Sequence, residues 1–320
     1  MQNPFIDNAD MRGLESKAVI EEIKLPFNGS GVKVFIKRLD LIHPWISGNK
    51  WYKLKYNIAE AVIEGYDRFL TFGGAYSNHI YSASAAGKLA GFKSIGIIRG
   101  EQHLPLNPTL YFASSMGMEL HYLDRTTYRK RNDTAFQESL KSKFGNIFIV
   151  PEGGTNLLAV KGCAEIINSI DIDYDFICTP AGTGGTTAGL VAGLNGNKNV
   201  LSFSVLRGGE FLYNEIEKLV ELYSGKKFDN WKLLTEYHFG GYAKINWELI
   251  EFLQEFEKQN GFALDPVYTG KMMYAIFDLI KKGYFKKGTV MVVLHTGGLQ
   301  GIEGMQDKID NIISLHYKIK

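Results

Sequence analysis

A lysine at the mouth of a helix and a glycine-rich loop far from it carry the strongest chemical signals in this chain. Ser47-Gly48-Asn49-Lys50-Trp51-Tyr52-Lys53-Leu54 is a small polar turn that delivers Lys50 into the start of a helix. An amine becomes a nucleophile only when deprotonated, and partial burial or a neighbouring cation lowers its pKa toward that state. The plainer alternative is an exposed helix start with three solvated lysines, at positions 50, 53 and 55, since lysine is mostly a surface residue.

The second signal starts at Phe176-Ile177-Cys178-Thr179, which reads as a buried strand. It continues through Pro180-Ala181-Gly182-Thr183-Gly184-Gly185-Thr186-Thr187-Ala188-Gly189 into an apolar helix. Glycines let the backbone approach an anion, and free N–H groups at a helix N-terminus attract negative charge. Thr183, Thr186 and Thr187 add hydroxyl donors without adding charge. A P-loop would need Gly-Lys-Ser/Thr, and no lysine follows these glycines until Lys198. A dinucleotide fingerprint would need a third glycine where Thr187 stands, and an acid where none occurs between Asp175 and Glu210. A compact phosphate monoester suits the loop better than either nucleotide; an ordinary strand–helix turn is the alternative. A lysine able to form a Schiff base, together with a helix-capped phosphate cradle, is what pyridoxal phosphate requires.

These residues need elements to position them. Short apolar or β-branched runs predict strands at Val32–Lys37, Arg68–Phe72, Ser94–Ile98, Glu119–Tyr122, Ile147–Val150, Phe176–Thr179, Val200–Val205 and Val290–Leu294. Helices are predicted over Trp51–Glu64, Ser77–Leu89, Pro108–Ser115, Asp133–Lys143, Thr186–Gly193, Tyr213–Leu222, Trp247–Gln259 and Lys271–Lys282. Strand-to-helix alternation argues a mostly parallel α/β architecture. Four glycine pairs or runs, at Gly73-Gly74, Gly153-Gly154, Gly182 to Gly185 and Gly297-Gly298, follow strand ends, where ligands of open α/β sheets bind. They read as the rim of one site.

At 320 residues and 45% hydrophobic content the chain can bury a large core in one or two domains. The 36 basic and 34 acidic residues are interspersed, so nothing argues for nucleic acid or a membrane surface as partner. Cys163 and Cys178 lack metal-ligand spacing and read as buried free thiols of a reducing compartment. Met1 to Arg12 has no apolar signal core and no segment is long and apolar enough to span a bilayer, so a cytoplasmic, soluble protein is expected.

Taken together the motifs resemble one family, the pyridoxal-phosphate enzymes of the tryptophan-synthase-β-like fold (fold type II). More narrowly they resemble its 1-aminocyclopropane-1-carboxylate deaminase / D-cysteine desulfhydrase group. The likeness runs from about Phe35 to Gly298. It rests on Lys37-Arg38-Leu39-Asp40, Gly48 to Leu54, Gly73-Gly74-Ala75-Tyr76-Ser77-Asn78-His79 and Glu152-Gly153-Gly154-Thr155. It rests further on Thr183 to Gly189, Asp265-Pro266-Val267-Tyr268-Thr269-Gly270-Lys271 and Leu294-His295-Thr296-Gly297-Gly298. The resemblance implies that Lys50 holds the cofactor covalently and moves the proton at Cα, with Lys53 structural and Lys55 on the surface. It implies that Asn78 meets the ring hydroxyl and Ser77 the substrate carboxylate, although Ser77 also has the chemistry of a helix N-cap. By the same resemblance Thr183, Gly184, Gly185 and Thr186 take the phosphate, Thr296 faces the ring nitrogen, and Tyr242 and Tyr268 line the substrate pocket. It implies two α/β domains, each an open, mostly parallel sheet flanked by helices: a discontinuous large one (1–47 plus 152–320) and a small one (48–151). A homodimer acting on a small amino acid is also implied.

Two positions separate the group's activities. The deaminases are implied where the tyrosine of Asp-Pro-Val-Tyr is followed by glutamate and the late His-x-Gly-Gly carries leucine. Here Thr269 and Thr296 stand in those places, which favours D-cysteine desulfhydrase. A neutral threonine leaves the ring nitrogen largely unprotonated, a weaker electron sink that suits loss of a good leaving group. Cyclopropane deamination is the alternative, and a non-catalytic carrier or amino-acid sensor a more distant one. The chain departs from the family's usual pattern at Tyr76, at Lys24-Leu25-Pro26-Phe27 and at Leu299-Gln300-Gly301.

Overall fold

The computed structural model describes residues 13–26 and 29–319. The expectations for Met1 to Arg12, and for Phe27, lie outside them. Among the described residues ten strands form two sheets. The larger has six strands in the order β1 (Ile20–Glu22), β2 (Lys33–Lys37), β10 (Val290–Leu294), β7 (Phe176–Ala181), β8 (Asn199–Ser204) and β9 (Trp231–Leu234). The smaller has four, in the order β5 (Glu119–Leu123), β4 (Lys93–Arg99), β3 (Arg68–Gly74) and β6 (Ile147–Val150). Every pairing is parallel except β1 with β2.

Parallel strands covered by helices on both faces read as continuous apolar runs. The central strands obey this, with Val34, Ile36, Ile177, Cys178 and Met291 to Leu294 all buried. All eight strands expected from sequence exist with ends shifted by at most two residues. The two that were missed, β1 and β9, are the edges of the six-stranded sheet. Ile-Glu-Glu and Trp-Lys-Leu-Leu are short and half-covered, so neither shows a buried run. The helices Leu157–Ala164 and Gln306–Ile319 were also missed. The first hides because it is short and contains Gly162, whose lack of a side chain lets it lie against the Tyr52 carbonyl: a Cβ there would come within 1.8 Å of that oxygen. Both cysteines are buried and free.

The C-terminal ends of β3, β6, β7 and β10 carry the four glycine junctions. Their neighbours interlock. A Cβ on Gly153 would strike Thr183, one on Gly154 would meet His79, and one on Gly182 would lie 3.1 Å from the Tyr268 ring. Strand ends of both sheets thus build one place.

Candidate active site

Lys50 is presented by close backbone contact between its own turn and the junction after β10. Gly48 has φ 66 and ψ −146 and lies on the end of β10: a Cβ there would stand 1.9 Å from the Thr296 carbonyl oxygen. Only glycine tolerates both the left-handed φ and that approach. Gly48→Ala is therefore expected to cost about 3 kcal/mol or more, an overpacked contact added to backbone strain. A thermal melt of the cofactor-free protein within a degree or two of wild type would contradict this. Beyond the turn, the helix Asn49–Ile63 begins. Asn49 donates through Nδ2 to Thr186 Oγ1 at 2.8 Å, and its Oδ1 accepts from Lys50 Nζ at 2.9 Å. Burial, with the neighbouring Lys53 ammonium adding to it, lowers the Lys50 amine to about 7. The amine is thus poised to be neutral near physiological pH.

The glycine loop leaves β7 at Ala181 and enters the helix Gly185–Leu194, with Gly184 at φ 77 as N-cap. No side chain caps this helix, so its first N–H groups face the cleft. Lys53 reaches the same place. It is buried, and its Nζ donates to the Gly153 carbonyl and Thr155 Oγ1, both at 3.0 Å, and to Thr183 Oγ1 at 3.3 Å. Burial lowers it to about 8. Among the described residues no carboxylate bonds Lys50 or Lys53. The half-buried Lys50 amine and the buried Lys53 amine converge on a helix N-terminus, the electrostatic shape of a phosphate site. The residues present therefore fit pyridoxal phosphate: Lys53, Thr183, Gly184, Gly185 and Thr186 could hold its phosphate, and Lys50 its aldehyde carbon.

Ser77 caps the helix Asn78–Leu89, accepting from the N–H of His79 and of Ile80 at 3.2 and 3.3 Å. Asn78 crosses to the far sheet. Its Oδ1 accepts from Gln300 Nε2 at 3.0 Å, and a Cβ on Gly298 would be 2.3 Å from its Nδ2. His79 is buried, with Nε2 2.7 Å from Thr71 Oγ1. That hydroxyl gives its proton to the Val150 carbonyl, so His79 must donate from Nε2, leaving Nδ1 as a buried lone pair without a partner. Burial, with the charges of Lys50 and Lys53, holds this imidazole well below its usual range and therefore neutral.

Opposite lie the tyrosines. Tyr242 and Tyr268 meet edge to face with centroids 6.0 Å apart. Burial raises both phenols, Tyr268 the further, so both stay protonated. Tyr268 is aimed by Asp265, whose Oδ1 accepts from the N–H of Val267 and of Tyr268 and whose Oδ2 accepts from that of Thr269, at 2.7 to 3.0 Å. Thr269 and Thr296, 27 positions apart, come together with their hydroxyls 3.2 Å apart, and the Thr296 N–H points at Thr269 Oγ1 at 3.3 Å.

The structure thus brings Lys50, Asn78, Thr183, Gly184, Gly185, Thr186 and Thr296 to one cleft, with Ser77, Tyr242 and Tyr268 on its walls. Two expectations need correction. None of the three early lysines is a solvated surface group: Lys53 faces the phosphate loop, because residues three apart share one face of a helix. Lys55 is buried in ion pairs with Glu15 and Glu165. Thr187 does not donate into the cleft; one residue after Thr186, it is turned about 100° around the helix, and its hydroxyl meets Ser202 on β8 at 2.7 Å. Asp265, Gln300 and Thr155 were missed as site residues. For Asp265 the signal was legible, an aspartate four residues before a helix start.

Fold and cleft define an α/β enzyme of the pyridoxal-phosphate class. The sequence profile of "Pyridoxal-phosphate dependent enzyme" matches residues 18–297, and the chain belongs to that family. Within it the relatives are specific. The chain is 32% identical over 295 residues, 88% of its length, to a protein of Pyrococcus horikoshii provisionally named 1-aminocyclopropane-1-carboxylate deaminase, of which it covers 90%. It is 30% identical over 319 residues to the mitochondrial bifunctional D-cysteine desulfhydrase/1-aminocyclopropane-1-carboxylate deaminase of Arabidopsis thaliana, covering 92% of this chain and 79% of that protein. A solved structure of a 1-aminocyclopropane-1-carboxylate deaminase homologue superposes with TM-score 0.82 at 28% identity, over 98% of this chain and 100% of that one. A hydrogen sulfide-producing enzyme of Fusobacterium nucleatum, at 17% identity and TM-score 0.65, shares the fold.

Proposed function

We propose that this protein is a lyase acting on a small amino acid by β-elimination, with D-cysteine as substrate and sulfide, pyruvate and ammonia as products. The hydroxyl pair of Thr269 and Thr296 carries this reading. A carboxylate at that spot would hold a proton on a ring nitrogen. Here two neutral hydroxyls meet, and the nearby acid, Asp265, has both oxygens committed to backbone N–H groups. Bound in the cleft, pyridoxal phosphate supplies an electron sink for the pair left at Cα. Ser77 and the N–H groups it caps receive the substrate carboxylate at a helix N-terminus. Lys50 Nζ removes the Cα proton; that electron pair forms the Cα–Cβ double bond, and sulfur leaves Cβ with its own. Tyr242 and Tyr268, both protonated, can give the departing sulfur a proton. The released enamine hydrolyses in water to pyruvate and ammonia.

The name of the Arabidopsis relative keeps 1-aminocyclopropane-1-carboxylate deamination as the second reading. A homodimer, a cytoplasmic location and division into domains at 47/48 and 151/152 belong to the same proposal. The test is keto-acid release from D-cysteine, L-cysteine, D-serine, β-chloro-D-alanine and the cyclopropane amino acid. Pyruvate from D-cysteine and β-chloro-D-alanine is expected. A higher kcat/KM for 2-oxobutyrate formation from the cyclopropane substrate would replace this reading with the second.

A further inference from the structure

Tyr242 sits on a strained segment, although turn bonds run within it from Gly241 N–H to the His238 carbonyl at 3.0 Å and from Lys244 N–H to the Gly241 carbonyl at 3.1 Å. Phe239 and Ala243 have φ 53, and Gly240 and Gly241 between them have φ 94 and 118. Left-handed backbone at non-glycine residues costs about 1 to 2 kcal/mol each and persists only where the surroundings impose it. The surroundings include a buried lysine. Lys271, in the first turn of the helix Thr269–Lys281, sends Nζ to the carbonyls of His238 and Gly241 at 2.9 and 2.8 Å. Lys308, on the helix Gln306–Ile319, donates to a further carbonyl of the segment, Ala243, at 2.7 Å.

A buried ammonium is costly without compensation, and Lys271 has no carboxylate bonded to it among the described residues. Burial lowers it to about 8, opposed by Asp265 and reinforced by Lys308. Its compensation is the pair of loop carbonyls. A methionine of like length would fill the space without that penalty, so a lysine here has a use beyond filling it. We propose that Lys271 is a positioning residue of the substrate pocket: it staples the 238–243 segment so that Tyr242 is held edge-on to Tyr268. One short stretch then aims both phenols, Tyr268 through the Asp265 carboxylate and Tyr242 through the Lys271 ammonium. The inference rests on the reading above, in which Tyr242 faces substrate.

Two measurements on Lys271→Met test it. In the cofactor-free protein, amide hydrogen exchange of residues 238–244 rises about tenfold or more while the Lys50 helix stays protected. In the loaded enzyme kcat/KM for D-cysteine falls about 10- to 100-fold with bound-cofactor absorbance retained. In a Tyr242→Ala background, Lys271→Met costs less than about twofold, because its effect passes through the side chain already removed. Equal losses in both backgrounds, or unchanged exchange in the segment, overturn the proposal. A wild-type kcat/KM for Tyr242→Ala overturns instead the reading of Tyr242, and hydrogen exchange still judges the staple. Should Lys271→Met fail to fold, Lys308→Met, which frees only the Ala243 carbonyl, must raise exchange in the same segment and lose its kinetic effect when Tyr242 is alanine. Unchanged exchange there also counts against the staple.

Discussion

Lys50→Ala is expected to lower turnover of every substrate by about 10³-fold or more and to abolish the absorbance of covalently held cofactor. Two functions are removed together, the covalent anchor and the base at Cα, and general base catalysis alone contributes about 10² to 10⁴-fold. The fold should survive, since among the described residues the Lys50 amine bonds the Asn49 side chain beside it and no other group. Phosphate-dependent binding of the cofactor should survive too, weakened but measurable, because Lys53 and the glycine loop remain. The pH dependence sharpens the expectation. An amine lowered to about 7 is mostly protonated at pH 6 and mostly free at pH 8. Covalent uptake of the cofactor by the wild-type protein should therefore rise with pH through about 7 and then level off. An uptake rate still climbing tenfold per unit at pH 9 is the behaviour of an ordinary lysine and would remove Lys50 from this role, as would a Lys50→Ala variant with wild-type turnover.

How the site was legible in sequence differs residue by residue. Lys50 and the Gly182–Thr187 loop could be read because each combines a rare local pattern with its own chemistry, and Thr269 and Thr296 because each lies in a specific motif. That Thr269 and Thr296 touch could not be read from either motif alone; it follows from β10 lying next to β7, with the Thr269 helix packed over β7 and β8. The edge strands β1 and β9 escaped because a half-covered strand shows no apolar run. Gln300 was noted only as a departure from the usual pattern, yet it bonds Asn78. A residue odd for its family can still be wired into the site, and only a partner 222 positions away reveals it. Lys271 ends the Asp265 to Lys271 motif, yet its task is invisible there, because its partners are backbone carbonyls, which leave no trace in side-chain identity.

Lys53 shows the same limit at the most consequential position, and its replacement has the second-largest expected effect. Beside Lys50 it looked redundant; in the fold its ammonium is aimed into the phosphate loop, 3.3 Å from Thr183 Oγ1 and 3.0 Å from Thr155 Oγ1. A charge-assisted hydrogen bond to a buried anion contributes about 1.5 to 3 kcal/mol. Lys53→Met should therefore weaken pyridoxal phosphate binding about 10- to 100-fold. The loss should be larger for the phosphorylated cofactor than for pyridoxal, which has no phosphate to hold. A second consequence separates this role from a merely structural one. The Lys53 charge is, after burial, the next cause of the lowered Lys50 amine. Removing it should move the midpoint of covalent uptake to higher pH, while burial still keeps that midpoint below the ordinary lysine value. Equal weakening for pyridoxal and its phosphate, with the uptake midpoint unmoved, would return Lys53 to the packing role its sequence context first implied.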